Sequence, residues 1–323
     1  QHEVPKMIVK ARKMNKARTT FIDGMIMSNQ IKGRIHAELH PLRSDDGGTV
    51  TGRFSYSNPN LQQIPARDPQ IGKMIRSLFI PEEGATWGIF DYSQQEPRIT
   101  VHYSALLGLP GSADAVNAYS NEGADFHQIV ADMAGIPRKQ AKDINLGLTY
   151  GMGREKLIKE LGLEQDEAAR LLEVYHARVP FIRAIQDRCT RTAQERGYIT
   201  TLAGRKCHFD LWEPVGYLAD EKRTPLPEQE ARDQYGDNLK RSFTYKALNK
   251  LIQGSAADMT KLAMRELWRE GMVPHIQIHD ELDFSIFNKE QSEMVIDKMV
   301  NCVDMKVPLV VDYESGDNWG EAV

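Results

Sequence analysis

GIFDYSQQEPRI, residues 88–99, opens with strand character in Gly88, Ile89 and Phe90 and then meets an aspartate. The next six residues after Asp91 are polar apart from one tyrosine and one proline, so the stretch reads as a buried strand that ends on a carboxylate. A strand ending that way calls for a partner. HIQIHDELDFSIF, residues 275–287, offers one: Ile276 and Ile278, then Leu282, Phe284 and Ile286, alternate around a tight turn at His279 and Asp280. One sheet can hold Asp91 and Asp280 at the same edge. Two hard oxygen donors suit Mg²⁺, which takes one or two carboxylates plus substrate phosphates in preference to a full protein cage. Paired ions about 3.5–4 Å apart activate an attacking oxygen and stabilise a leaving one. Aspartate is common in turns, so neither residue carries this reading alone.

A third stretch adds to it. In PRKQAKDINLGLTYGMG, residues 137–153, Pro137 fits a first helical position, and Arg138, Lys142, Leu146 and Tyr150 recur every four residues on one helix face. Two cations near the helix start suit an anionic triphosphate, and the apolar end suits a sugar and base. Gly147 is expected to leave room for a close ligand. The plain alternative is an amphipathic helix whose charges face water.

Composition narrows the class. The chain has 323 residues, 41% of them hydrophobic, enough for a large domain or two to three subdomains. There is no run of eighteen apolar residues and no basic stretch leading an apolar one, so neither a membrane span nor a signal peptide is read, and the expected setting is cytoplasmic. Cys189, Cys207 and Cys302 are odd in number and far apart, which reads as free thiols with no zinc site. The net charge of −4 argues against wholesale wrapping by nucleic acid. The first 43 residues are nevertheless lopsided: Lys6, Lys10, Arg12, Lys13, Lys16, Arg18, Lys32, Arg34 and Arg43 face only Glu3, Asp23 and Glu38. The plain reading is a solvated helix face. Gln1 rather than Met opens the chain, with the expectation that further sequence lies upstream.

Along the chain, a helix opens at Val4, and SDDGGTVTGRFSYSNPNLQQIP, residues 44–65, reads as a loop. Helical patterns run from about Ser112 to Tyr150, from Gln165 to His176 and from Phe181 to Arg196, the last two divided by Val179 and Pro180. GYITTLAGRKCHF reads as a hairpin turning at Ala203 and Gly204. Residues 211–240 are polar and proline-containing, a surface insertion, and a long helix stops at Gly271.

DYSQQEPR resembles the first block of family A DNA polymerases, the bacterial DNA polymerase I type. RKQAKDINLGLTYG resembles their fingers helix and HDE their final catalytic block; TGRFSYSNPNLQQIP and NKLIQGSAAD are similar to two blocks that grip primer and template. All five fall in order from about Thr19 to Trp319. The resemblance implies an α/β (α+β) right-hand polymerase core with an antiparallel palm sheet: a partial thumb at 1–45, palm at 46–111 and 197–323, and helical fingers at 112–196. A phage is the expected source. The implied reaction is template-directed transfer of a deoxynucleotidyl group to a primer 3′-hydroxyl in DNA replication or repair, with two Mg²⁺ ions and Mn²⁺ as a substitute. Primer–template DNA and dNTPs are the implied partners, and another chain or an upstream segment would supply the rest of the thumb and an exonuclease domain.

The resemblance also assigns roles. Asp91 and Asp280 would bind metal with the Tyr92 carbonyl. Arg138, Lys142 and His127 would hold the triphosphate, and Lys142 would protonate the pyrophosphate leaving group. Glu96 would exclude a 2′-hydroxyl, Gln94 and Leu146 would line the same pocket, and Tyr150 would close over the template base. Arg18, Arg53, Gln62, Asn249, Gln253, His279 and Glu281 would line primer and template, where phosphate contacts position the duplex without reading it. Three departures stand out: Pro97 replaces a leucine, Gln95 an apolar residue, and Leu146 an aromatic one. Two other readings stay open, a single-subunit phage-type RNA polymerase fragment and a replisome component that binds primer–template without turnover.

Overall fold

The computed structural model describes residues 3–42, 49–66, 68, 70–121, 125–216 and 224–322. In chain order the elements begin with α1 (Glu3–Lys16), a wider π-type helical stretch (Ala17–Met27), and short strands β1 (Gln30–Ile31), β2 (Arg34–Ile35), β3 (Glu38–His40) and β4 (Ser55–Ser57). Then come α2 (Ile71–Arg76), β5 (Thr86–Tyr92), α3 (Gln95–Leu106), α4 (Ser112–Asn121), α5 (Phe126–Ala134), α6 (Arg138–Thr149), α7 (Arg154–Leu161), α8 (Gln165–Arg178) and α9 (Pro180–Arg196). The remainder is β6 (Tyr198–Thr200), β7 (Lys206–His208), β8 (Leu211–Pro214), β9 (Leu226–Pro227), α10 (Glu228–Tyr235), β10 (Leu239–Arg241), α11 (Ala247–Arg269), β11 (Ile276–Ile278), β12 (Glu281–Ile286), α12 (Lys289–Val300) and β13 (Val311–Gly316). They form two compact units. The first comprises 1–93, 259–303 and 310–323, the second 94–258 and 304–309.

The first unit is built on an antiparallel sheet in the order β11–β12–β5–β13. β5 is central and covered on both faces, which is why it reads as a nearly continuous apolar run. Phe90 and Tyr92 point to one face with Leu282 and Phe284 opposite them; the Phe90 ring stacks on Tyr313 at 4.7 Å and meets Phe284 edge-on at 5.8 Å. Gly88 on this face is there for packing. A Cβ would sit 2.7 Å from Ile286 Cγ1 and 3.1 Å from the Phe90 ring. The opposite face carries Trp87 and Ile89, which pack with Ile71, Ile75, Ile276 and Trp319; the Trp87 and Trp319 rings stack at 6.0 Å.

The second unit is mostly helical. Its core gathers Val101, Tyr119, Val130, Ile144, Leu148, Tyr175, Phe181 and Ile182 from successive helices. The 3.6-residue spacing of these apolar positions dictates that packing.

Several expectations change in detail. The loop read over 44–65 contains β4, paired with β3, and a 3₁₀ turn at Leu61–Gln63; Arg43 and 44–48 lie outside the described residues. The long helical pattern from Ser112 is three helices, α4 to α6, and α7 was missed. Pro137 caps α6 in an extended conformation (ψ 141°), so the helix starts one residue later than read. The insertion at 211–240 has its own three-stranded sheet, β10–β8–β9, beside α10, with Arg241 over the Trp212 ring at 4.4 Å; 217–223 lie outside the described residues. The hairpins at 198–208 and 276–286 and the long helix to Gly271 stand where the sequence put them.

Candidate functional site

In the first unit, the sheet register answers the question raised by Asp91. Glu281 lies directly opposite Asp91 on β12, and Asp312 lies opposite it on β13, so three carboxylates share one face at the end of the central strand. Asp280 precedes Glu281 in the two-residue turn of the β11–β12 hairpin. The Tyr92 amide donates to the Asp280 carbonyl at 3.4 Å, which brings the end of β5 against that turn. His279, the other turn residue, takes the left-handed conformation the tight hairpin requires (φ 57°). The Tyr92 side chain is buried on the far face, its hydroxyl donating to the Met299 carbonyl at 2.8 Å. Asp91 and Asp280 are half-buried and supply hard oxygen donors, a set that fits Mg²⁺ rather than zinc.

Behind this edge lies a second acidic pair. Asp283 is fully buried and shares the Asp91 face with Glu281, two residues away on the same strand. Burial pushes both carboxyls up, Asp283 well above the usual range, the neighbouring Glu281 adds to the rise of Asp283, and the Arg76 guanidinium draws both back.

The other residues expected to line nucleic acid in this unit are dispersed. Arg18 is exposed with its Nε 3.7 Å from Asp23 Oδ2. The Arg53 carbonyl accepts from Thr49 Oγ1 at 2.6 Å, and Gln62 Nε2 donates to the Phe54 carbonyl at 3.3 Å.

In the second unit, α6 presents Arg138 and Lys142 as exposed cations. Arg138 is held: its Nε donates to Asp125 Oδ2 at 2.5 Å, while Asp125 Oδ1 caps α5 by accepting from the His127 and Gln128 amides. Burial pushes the Asp125 carboxyl up, but Arg138 and the two amides outweigh it and hold it below its ordinary value. His127 is only 3% exposed, and burial lowers its pKa, so the ring is neutral at pH 7. Its Nδ1 pairs with Asn145 Nδ2 at 3.1 Å, and Asn145 Oδ1 accepts from the Tyr175 hydroxyl at 3.0 Å. His127 is thus part of a buried polar chain.

Glu96, Leu146 and Tyr150 line one narrow pocket together with Phe126, Tyr175 and Phe181. The Tyr150 hydroxyl donates to Glu96 Oε2, joining two residues far apart in sequence. Gly147 does not leave space for a ligand. A Cβ there would lie 2.0 Å from Met152 Cε, so Met152 already fills that room. Gln94 sits in left-handed backbone (φ 52°, ψ 45°) just before α3, and Pro97 is accommodated in the first turn of that helix. Asn249 and Gln253 are half-buried, one turn apart on α11.

Sequence reading missed Asp283, Asp312, Arg98 and Tyr119. The alternation in VVDY, residues 310–313, would have found Asp312; nothing local marks Tyr119.

The family model described as DNA polymerase family A matches residues 1–321. A DNA-directed DNA polymerase of Pseudomonas phage M6 is 36% identical over 371 aligned positions, covering all of this chain and 52% of the relative. The thermostable DNA polymerase I of Thermus aquaticus is 32% identical, covering 98% of this chain and 36% of its own length. Among solved structures, the chain is similar to the POL domain of Pol1 from M. smegmatis in complex with DNA primer-template and dNTP, with a TM-score of 0.75 and 31% identity over 96% of this chain and 52% of that one. The chain therefore spans about half the length of the phage relative. No helix among the described residues is long and apolar enough to cross a membrane.

Proposed function

Because the chain belongs to DNA polymerase family A, we propose that it performs template-directed addition of deoxynucleotides to a primer 3′-hydroxyl. The observation that carries this reading is the register that sets Asp91 beside the Asp280 turn at the end of the central strand. Asp91 and Asp280, with the Tyr92 carbonyl, would hold two Mg²⁺ ions, or Mn²⁺ in their place, which supply activation of the attacking oxygen and charge stabilisation of the leaving one.

The protein's own groups do the rest by positioning and electrostatics, as phosphoryl transfer requires. Arg138 and Lys142 on α6 would take the triphosphate, with Arg138 exchanging Asp125 for phosphate oxygens, and Lys142 would give a proton to the pyrophosphate. His127 would join them in holding the triphosphate, as a neutral hydrogen-bonding group. Glu96, with Tyr150 against it, would close the pocket to a 2′-hydroxyl, and Leu146 would pack on the sugar. Arg18, Arg53, Gln62, Asn249, Gln253, His279 and Glu281 would line primer–template DNA. In this reading 1–45 is part of a thumb, 46–111 and 197–323 the palm, and 112–196 the fingers.

Primer extension tests the proposal. Asp91→Asn and Asp280→Asn should each abolish extension in Mg²⁺ and leave duplex binding largely intact, because phosphate contacts lie elsewhere. Substantial extension by either variant would sink the metal assignment.

A further inference from the structure

Tyr119 on α4 has no part in the reading above, yet it is among the most constrained side chains of the second unit. It is 3% exposed, and its hydroxyl donates to Gln94 Oε1 at 3.1 Å. The Arg98 guanidinium lies over its ring at 4.6 Å, and Phe126 meets the ring edge-on at 5.0 Å. Arg98 is itself buried, its NH1 donating to the Pro308 carbonyl at 2.6 Å. The phenol is therefore fixed from several sides before it reaches Gln94.

Gln94 needs such support. It joins β5 to α3 in left-handed backbone, a conformation that costs a residue with a Cβ roughly 1–2 kcal/mol and persists where surroundings over-determine it. Its carbonyl accepts from the Arg98 amide at 3.0 Å, so the same arginine that stacks on Tyr119 also closes the first turn of α3. A glutamine amide has a donor end and an acceptor end of nearly equal size. A tyrosine hydroxyl can meet either end, since it both donates and accepts, so its bond to Oε1 fixes where the carboxamide lies.

We propose that Tyr119 is a positioning residue that acts through Gln94: its hydroxyl, itself held by Arg98 and Phe126, ties the carboxamide down, so that the nucleotide pocket meets an incoming deoxynucleoside triphosphate with that side chain already placed. This rests on the reading of Gln94 as a pocket residue. Tyr119→Phe removes one oxygen and keeps the ring against Arg98 and Phe126, so the fold is retained.

The test is a double-mutant cycle of Tyr119→Phe and Gln94→Met in primer extension with dTTP opposite adenine. Tyr119→Phe should raise KM about three- to tenfold, the worth of one such hydrogen bond, with kcat within about twofold. In the Gln94→Met background the same change should do nothing further, because the group it acts through is gone. An unchanged KM, or effects that simply multiply, overturns the inference. If the parent extends no primer, the polymerase reading fails separately, and the cycle is read instead from calorimetric dTTP binding in Ca²⁺ to the protein on a dideoxy-terminated primer–template. There, a three- to tenfold weakening that vanishes with Gln94→Met supports the inference, on the same estimate of about one hydrogen bond, and a parent that binds no dTTP overturns it as well.

Discussion

Asp283→Asn isolates the buried carboxyl behind the Asp91–Asp280 edge. Asp283 has no exposure and a carboxyl neighbour at Glu281, with Arg76 the cation that opposes the rise of its pKa. Its folded-state pKa is raised above the unfolded value, about 3.9 for a free aspartate. The stability this group contributes is therefore fully present below that unfolded pKa and is lost as pH rises through the folded one. Between the two values the unfolded chain releases a proton that the folded chain keeps, and unfolding becomes easier by about 1.4 kcal/mol per pH unit. Asparagine has the same shape, still donates toward Glu281, and cannot ionise. The stability of Asp283→Asn relative to the parent should therefore grow as pH rises above the unfolded pKa, by at most about 1.4 kcal/mol per unit, for as long as the folded carboxyl keeps its proton. A changed hydrogen bond to Glu281 shifts the whole line and not its slope. Urea denaturation at pH 5, 6 and 7, with matched m-values, measures it. Parallel stability curves for parent and variant would refute the reasoning, because they would mean that Asp283 is ionised in the folded protein across that range.

Gly88→Ala should lower stability by about 1–3 kcal/mol, since the new methyl meets Ile286 and Phe90 in a close-packed strand; an unmoved urea midpoint would show that the sheet yields at no cost. Glu96→Ala should raise ribonucleotide incorporation relative to deoxyribonucleotide, and an unchanged ratio would mean that another residue excludes the 2′-hydroxyl. Leu146→Tyr should improve dideoxynucleotide use about tenfold to a hundredfold by offering a polar contact where the 3′-hydroxyl is missing, with Leu146→Phe doing less. Equal chain termination by parent and Leu146→Tyr would remove Leu146 from the sugar contact. Binding of primer–template should fall steeply with salt, by close to one unit of log–log slope for each phosphate contact, and affinity that does not change between low and physiological salt would contradict a phosphate-gripping surface.

The Asp91 strand and the 276–286 hairpin were legible because period-2 alternation and a two-residue turn are local signals. The register between them was not, since it depends on which strands meet, and it alone brings Glu281 and Asp312 opposite Asp91. The face of α6 was legible from four-residue spacing, and Leu146 and Tyr150 do share a pocket. What fills that face was not: Met152 over Gly147, Asp125 on Arg138 and Asn145 on His127 are tertiary contacts with no periodic trace. The strands of the 211–240 insertion are two to four residues long, too short for alternation to show.

The central strand of the sheet also sets a timetable for synthesis. Thr86 and Ile286, paired across β5 and β12, are 200 residues apart, and β13 follows later still. A ribosome finishes nearly the whole second unit before either neighbour of β5 exists. Until then Trp87, Ile89 and Phe90 have no strand beside them, and the nascent chain carries an apolar segment with both edges open, the kind of exposure that invites aggregation. A message cut short anywhere before β12 can yield helices of the second unit but no Asp91–Asp280 edge, so incomplete copies of this protein lack the paired carboxylates of finished ones.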